Sequence, residues 1–178
     1  QFMSQVQFDC IDKIAFNLRA VMSWYQECVS ILADHEQGWE YTNPVGFTMR
    51  QFYTRKLSTS IPTPNYSVRI QTTNGDINKT KQVSGISANQ THSLDGALLV
   101  LAHATFNGTM SVIHDSVGCH SSDMEELQTS LRKSHVLLYQ GNRLAEMKQQ
   151  NEDRTGLTLP EPPKMGDIEL SDVLTATY

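Results

Sequence analysis

The sequence predicts a mixed α+β fold in which helices pack around small antiparallel strand pairs and one β-hairpin projects. Three observations carry this prediction. Apolar residues recur at steps of three and four over residues 8–32, they recur at steps of two between residues 39 and 77, and a helical period returns from residue 89. Within that last region a short apolar run at residues 110–117 is split by His114-Asp115. We divide the chain into a helical segment (1–38), a hairpin region (39–83) and a segment carrying the His-Asp hairpin and the C-terminal helices (84–178).

The first segment is dominated by one long helix. Phe8, Ile11, Ala15, Leu18, Met22, Tyr25, Val29 and Leu32 form its apolar stripe, and Ile14, Val21 and Cys28 widen it enough to meet more than one neighbour. Trp39 and Tyr41 then alternate, Asn43-Pro44-Val45-Gly46 makes a turn, and Phe47, Met49 and Gln51 return, with Phe52 and Tyr53 expected to pack on the sheet. Pro62-Thr63-Pro64 reads as a stiff connector. Beyond it Tyr66, Val68 and Ile70 alternate with polar residues, and Asn74-Gly75 supplies a hairpin-turn signal with the return beginning at Ile77. This short ribbon, carrying Arg69, Lys79 and Lys81, is expected to project.

A helix is expected over residues 89–105, with Leu94, Leu98 and Leu101 buried and His92 and Asp95 together on another face. Met110, Val112, Ile113 and Val117, bracketed by Asn107-Gly108 and Gly118, describe a tight hairpin turning at His114-Asp115. Ser121-Ser122-Asp123 is positioned to cap a helix with Glu125 and Glu126 in its first turn. Gly141-Asn142 breaks or bends that helix, residues 151–164 read as a loop, and residues 166–178 form a last apolar segment. His103, His120 and His135 read as ordinary surface or core residues.

Composition bounds the chemistry. The 178 residues are 39% hydrophobic with three cysteines, and the mean hydropathy is −0.38. Apolar runs fall short of the roughly 18 residues a membrane span needs. Cys10, Cys28 and Cys119 lack a Cys-x-x-Cys spacing, which argues for reduced core thiols in a cytosol and against a zinc or disulfide framework. The net charge of −5 conceals an asymmetry: residues 50–81 hold six basic residues, Arg50, Arg55, Lys56, Arg69, Lys79 and Lys81, against one acid. Such a local strip is what nucleic-acid phosphates would feel.

The residues alone leave Asp115 two roles, turn former or cation ligand on an exposed turn. A larger pattern distinguishes them. Ser-Gly-Ile-Ser-Ala-Asn-Gln-Thr-His-Ser-Leu-Asp-Gly over residues 84–96, then an apolar helix, then Ile-His-Asp-Ser, closely resembles the C-terminal part of bacteriophage-type single-subunit DNA-directed RNA polymerases, relatives of the mitochondrial enzyme. The likeness is specific over residues 84–118 and weaker from Phe8 to Tyr178. Gly46-Phe47 and Gln51-Phe52-Tyr53 are similar to further family segments. The related A-family DNA polymerases usually carry His-Asp-Glu at this hairpin, so Ser116 favours the RNA-synthesising branch.

The resemblance implies a right-hand-shaped polymerase in which this chain supplies palm and adjoining fingers elements. It implies that Asp115 is a catalytic ligand of two Mg²⁺ ions, that His114 positions the primer terminus, and that His92 and Asp95 lie near the ribose or the newest base pair. The ribbon corresponds by position to a promoter-specificity hairpin, giving Arg50, Arg55, Lys56, Arg69, Lys79 and Lys81 roles in DNA contact. The implied partners are a DNA template, RNA product and ribonucleoside triphosphates. The second carboxylate and the triphosphate-handling groups have no counterpart here, so we expect a second polypeptide to carry them, in a divided enzyme rather than a fragment. The expected compartment is the cytoplasm of a phage-infected bacterium, with mitochondria as the alternative. Other readings are a non-catalytic nucleic-acid-binding subunit, part of an A-family DNA polymerase, and a metal-dependent hydrolase needing further clustered ligands.

Overall fold

The computed structural model describes residues 15–175 together with Val6, Cys10 and Lys13. The stripe positions Phe8, Ile11 and Ile14 and the closing residue Tyr178 lie outside the described residues. The fold is mixed α+β, as expected, and the described strands form three separate two-stranded antiparallel sheets.

Helix α1 (Phe16–Asp34) buries Trp24, Tyr25, Cys28, Val29 and Leu32, whereas Leu18 and Met22 are exposed. The stripe is covered only where the helix reaches the body; residues 17–20 face water throughout. Trp24, Tyr25 and Trp39 form an aromatic cluster with ring centroids 5.1 to 6.2 Å apart. Burial pushes the Cys28 thiol up to about 12, so it behaves as a small apolar core residue. Cys10, expected in the core, is exposed, and Cys119 is half-buried.

Strands β1 (Trp39–Thr42) and β2 (Thr48–Gln51) pair as expected, with Trp39, Tyr41, Met49 and Gln51 turned inward. The chain then leaves this sheet, which breaks the alternation. Phe52 and Tyr53 are therefore 56% and 38% exposed rather than packed on it.

Strands β3 (Thr54–Pro62) and β4 (Ser67–Ile77) form a ribbon longer than the sequence suggested. Nine residues at ~3.3 Å each give β3 a length of roughly 30 Å. The turn lies at Thr63-Pro64-Asn65-Tyr66, closed by Thr63 N–H donating to Tyr66 O at 2.8 Å, and not at Asn74-Gly75. Asn74-Gly75 instead falls within β4, where the register slips opposite Thr54 and Lys56 and Gly75 takes a φ of +87°. The turn signal has become a bulge.

Helix α2 (Lys79–Thr105) begins at Lys79 rather than Asn89, capped by the Asn78 side chain accepting from Lys81 N–H at 3.1 Å. Its early turns were hidden because polar Gln82 and Gln90 occupy buried positions. The Gln90 side chain accepts from the Trp39 indole at 3.1 Å, and the backbone carbonyl of Gln82 accepts from the Gln51 side-chain amide at 2.6 Å. Lys79 and Lys81 consequently sit on this helix and not on the ribbon.

Strands β5 (Met110–Ile113) and β6 (Ser116–Cys119) form the tight hairpin. A 3₁₀ turn at Ser121–Asp123 leads into α3 (Met124–Tyr139) without a side-chain cap; Ser122 bonds to Asp123 instead. Helix α3 lies on the C-terminal half of α2, where the Ser130 hydroxyl donates to Ala102 O at 3.0 Å. Gly141, with φ +85°, breaks the helix, and the Asn142 side chain caps α4 (Arg143–Thr155) by accepting from Ala145 N–H. Asn151, expected to open a loop, is fully buried in α4, where it accepts from Glu40 N–H at 3.0 Å and donates to Glu40 O at 2.7 Å. Its side chain completes the outer edge of β1. The loop begins at Gly156, and the short helix α5 (Asp172–Thr175) docks on α3.

Candidate active-site cleft and basic ribbon

Helix α2 has a face made of His92, Asp95, Gly96 and Leu99, at helical spacing. The β5–β6 turn stands opposite. There Ile113 pairs with Ser116, leaving His114 and Asp115 as a two-residue turn. His114 has a φ of +56°, a left-handed conformation that costs a non-glycine residue roughly 1 kcal/mol or more. Face and turn together line one cleft of about 390 Å³, formed by His92, Asp95, Gly96, Leu99, His114 and Asp115. The four residues expected from the sequence at the reacting end thus share one space.

His92, His114 and Asp115 are exposed and Asp95 is half-buried. Among the described residues none of the four side chains makes a hydrogen bond or ion pair, so all retain capacity for a ligand. Burial and then the Asp95 carboxylate push the Tyr139 hydroxyl above its ordinary value. Leu99 falls at helical steps from His92 and Asp95 in the sequence; Gly96 was not singled out, although its step of four from His92 puts it on the same face. A Cβ built on Gly96 would meet no atom within 4 Å, so this glycine opens the cleft without being required by packing.

As a cation site the cleft is incomplete among the described residues. No group of three or more His, Cys, Asp or Glu side chains among the described residues could hold a metal. The free Asp115 carboxylate is a hard oxygen donor of the type Mg²⁺ takes.

The basic residues divide into two sets. Arg50 on β2 pairs with Glu40 at 2.9 Å, and Lys79 pairs with Asp34 at 2.6 Å. Arg55, Lys56, Arg69 and Lys81 have no such partner among the described residues. The ribbon's register separates two faces: Leu57, Ile61, Val68 and Ile70 share one, and Lys56, Ser58, Ser60, Arg69 and Gln71 share the other. His103 and His120 are exposed, and the His135 ring lies 4.9 Å from that of Tyr139.

An open cleft with free carboxylate and imidazole groups and, elsewhere in the chain, a long basic ribbon are equipment suited to handling nucleotides. Residues 1–157 match the sequence model of the family described as DNA-dependent RNA polymerase, and the chain belongs to that family. It is 27% identical, over 99% of its length, to DNA-directed RNA polymerase 2, chloroplastic/mitochondrial, of Arabidopsis thaliana, covering 18% of that protein. To DNA-directed RNA polymerase 1, mitochondrial, of Nicotiana sylvestris it is 29% identical over 90% of the chain and 16% of that protein. To DNA-directed RNA polymerase 2A of Nicotiana tabacum it is 25% identical over 99% of the chain and 54% of that protein. The chain thus spans about a fifth of the first of these relatives. No helix among the described residues is long and apolar enough to cross a membrane.

Proposed function

We propose that this chain forms the palm-bearing part of a phage-type DNA-directed RNA polymerase and takes part in template-directed nucleotidyl transfer from ribonucleoside triphosphates. The observation that carries this reading is the single cleft in which His92 and Asp95 on α2 face His114 and Asp115 on the β5–β6 turn. Asp115 is one of two carboxylates that would hold Mg²⁺; the other belongs to a second polypeptide, which also carries the groups that grip the triphosphate. Two Mg²⁺ ions, when bound, activate the attacking hydroxyl and neutralise the pyrophosphate leaving group.

This chain's own residues do the positioning. The turn presents Asp115 outside the strands, where its carboxylate is open to solvent and can meet a cation. His114, beside it, contacts the primer terminus. His92 and Asp95 offer hydrogen-bonding groups to the ribose or the newest base pair. The polar face of the ribbon, with Lys56 and Arg69, suits a two-stranded insertion into a major groove of template DNA, and Arg55 and Lys81 add phosphate contacts at its base. Arg50 and Lys79 join them only by exchanging their carboxylate partners for phosphate. The compartment in this reading is the cytoplasm of an infected bacterium; the organellar names of the matched relatives supply precedent for mitochondria as the alternative.

The test is template-directed ribonucleotide incorporation by the assembly containing this chain, comparing wild type with Asp115→Asn. The expected result is loss of incorporation by orders of magnitude with assembly and template binding intact. Equal activity of the two would overturn the metal role. A preference for deoxyribonucleotides would move the chain to the A-family DNA polymerases. Template binding without incorporation by the wild type would make it a non-catalytic nucleic-acid-binding subunit.

A further inference from the structure

Phe47 is anomalous in its hairpin. Its neighbours in the pairing, Tyr41 and Met49, are buried, yet Phe47 is 61% exposed at the end of the turn. It is also held firmly. The Asn43 side chain, itself only 4% exposed, accepts on Oδ1 from the N–H groups of Val45 at 3.2 Å and Phe47 at 3.0 Å. The same side chain donates through Nδ2 to the carbonyl of Ser93 at 3.2 Å and to its hydroxyl at 3.4 Å. One buried amide therefore clamps the turn carrying Phe47 to the turn of α2 that carries His92. Gly46, at φ +85°, lets the chain bend just before the ring.

Between Phe47 and α2 runs a groove of about 270 Å³, lined by Phe47, Met49, Arg50, Asn89, His92 and Ser93. His92 also lines the cleft that holds Asp115, so the two spaces meet at that residue. Arg50 is paired with Glu40, yet its side chain remains 73% exposed and can turn to a second anion. An aromatic ring on a clamped turn, a guanidinium and several amide or hydroxyl groups, along one groove, are what a single nucleic-acid strand uses: a face for the base, charge for the phosphate, polar groups for the sugar. A protein partner would call for a broader apolar patch around the ring, and Arg50, Asn89 and Ser93 interrupt one.

We infer that Phe47 is a stacking platform for a nucleobase of the strand that runs from the cleft along this groove. The inference rests on the polymerase reading above for the identity of that strand. Phe47→Leu keeps apolar volume and removes the π face; Phe47→Trp keeps the face. In the assembly containing this chain, we expect Phe47→Leu to raise KM for primer–template about tenfold, the scale of one lost base stack, with the loss appearing in KM rather than kcat. Phe47→Trp restores the wild-type value. A 2-aminopurine placed in the strand near the primer terminus is quenched by stacking in the wild type and brightens in the leucine variant.

The outcomes separate the two claims. If the wild type extends RNA and Phe47→Leu matches it in KM and in quenching, the stacking inference falls and the polymerase reading stands. If the wild type does not extend RNA but quenching still follows Phe47, the polymerase reading falls and the stacking site survives. If Phe47→Leu dissociates the assembly on gel filtration, the ring is a protein contact and the inference is overturned.

Discussion

The β1–β2 hairpin and the β3–β4 ribbon are written in the same local code of alternating apolar and polar residues, yet one is core and the other stands in water. In β1–β2, Trp39, Tyr41, Met49 and Gln51 are buried. In the ribbon, every residue from 55 to 76 is exposed except half-buried Thr63. The difference lies in what each hairpin is tied to. β1–β2 is anchored at several points: Trp39 to Gln90, Gln51 to the Gln82 carbonyl, Glu40 to Asn151, and Thr42 N–H to the Gln150 side chain. The ribbon is held at its base, where Asn78 N–H donates to Tyr53 O and Ile77 N–H to the Glu36 carboxylate. A two-residue period thus specifies that strands pair; long-range partners decide whether their apolar face is covered.

The sharpest way to break this contrast is to truncate one apolar residue in each hairpin. Trp39 is 1% exposed and touches the rings of Trp24 and Tyr25, so Trp39→Ala should cost about 3–5 kcal/mol, the range for large core aromatics. Ile61, 46% exposed near the ribbon tip, should lose less than about 0.5 kcal/mol on the same change. Urea unfolding followed by circular dichroism, which does not depend on the tryptophan being removed, measures both. Similar losses at the two positions would mean that the ribbon's apolar face is covered in solution.

A smaller effect tests the charges. Arg69 on the ribbon has no ion-pair partner among the described residues, whereas Arg50 on β2 is paired with Glu40. If the ribbon contacts DNA, Arg69→Ala should lower the slope of log K against log salt by about one phosphate contact. Arg50→Ala should change it less, because part of its charge is already neutralised by Glu40. Template binding by the full assembly, titrated at several salt concentrations, gives both slopes. A larger change at Arg50 would move the phosphate contact from the ribbon to the groove beside Phe47.

The same contrast explains what could be read from the sequence. The β1–β2 and β5–β6 hairpins were legible because their turns, Asn43-Pro44-Val45-Gly46 and His114-Asp115, lie between short strands of consistent period. The ribbon's turn was misplaced because Asn74-Gly75 is the stronger local signal, and only the pairing register reveals it as a bulge. The start of α2 and the helical placement of Asn151 were hidden for a shared reason: Gln82, Gln90 and Asn151 are polar residues in buried positions, which a hydrophobic pattern reads as surface. In the cleft, His92 and Asp95 could be paired by helical spacing, and Asp115 could be placed on a turn. No local rule brings that turn against that helix face; their association came from the family resemblance. Gly96 went unmarked because a glycine inside a helical pattern carries no chemistry of its own.

That glycine gives a modest expected gain in stability, and it separates folding from function within the anchored half of the molecule. Glycine inside a helix is less favourable than alanine by about 0.8–1.0 kcal/mol, and a Cβ at position 96 meets no atom within 4 Å. Gly96→Ala should therefore raise stability by up to roughly 1 kcal/mol, since the unfolded chain also loses freedom. The added methyl would nevertheless stand in the cleft, between the step positions of His92 and Leu99 and opposite His114 and Asp115. If a nucleotide occupies that space, the more stable variant should bind ribonucleotide more weakly, with a raised KM in the incorporation assay. A variant that is more stable and equally active would show that the ligand does not approach this side of α2, and the assignment of His92 and Asp95 to the sugar would then lose its geometric support.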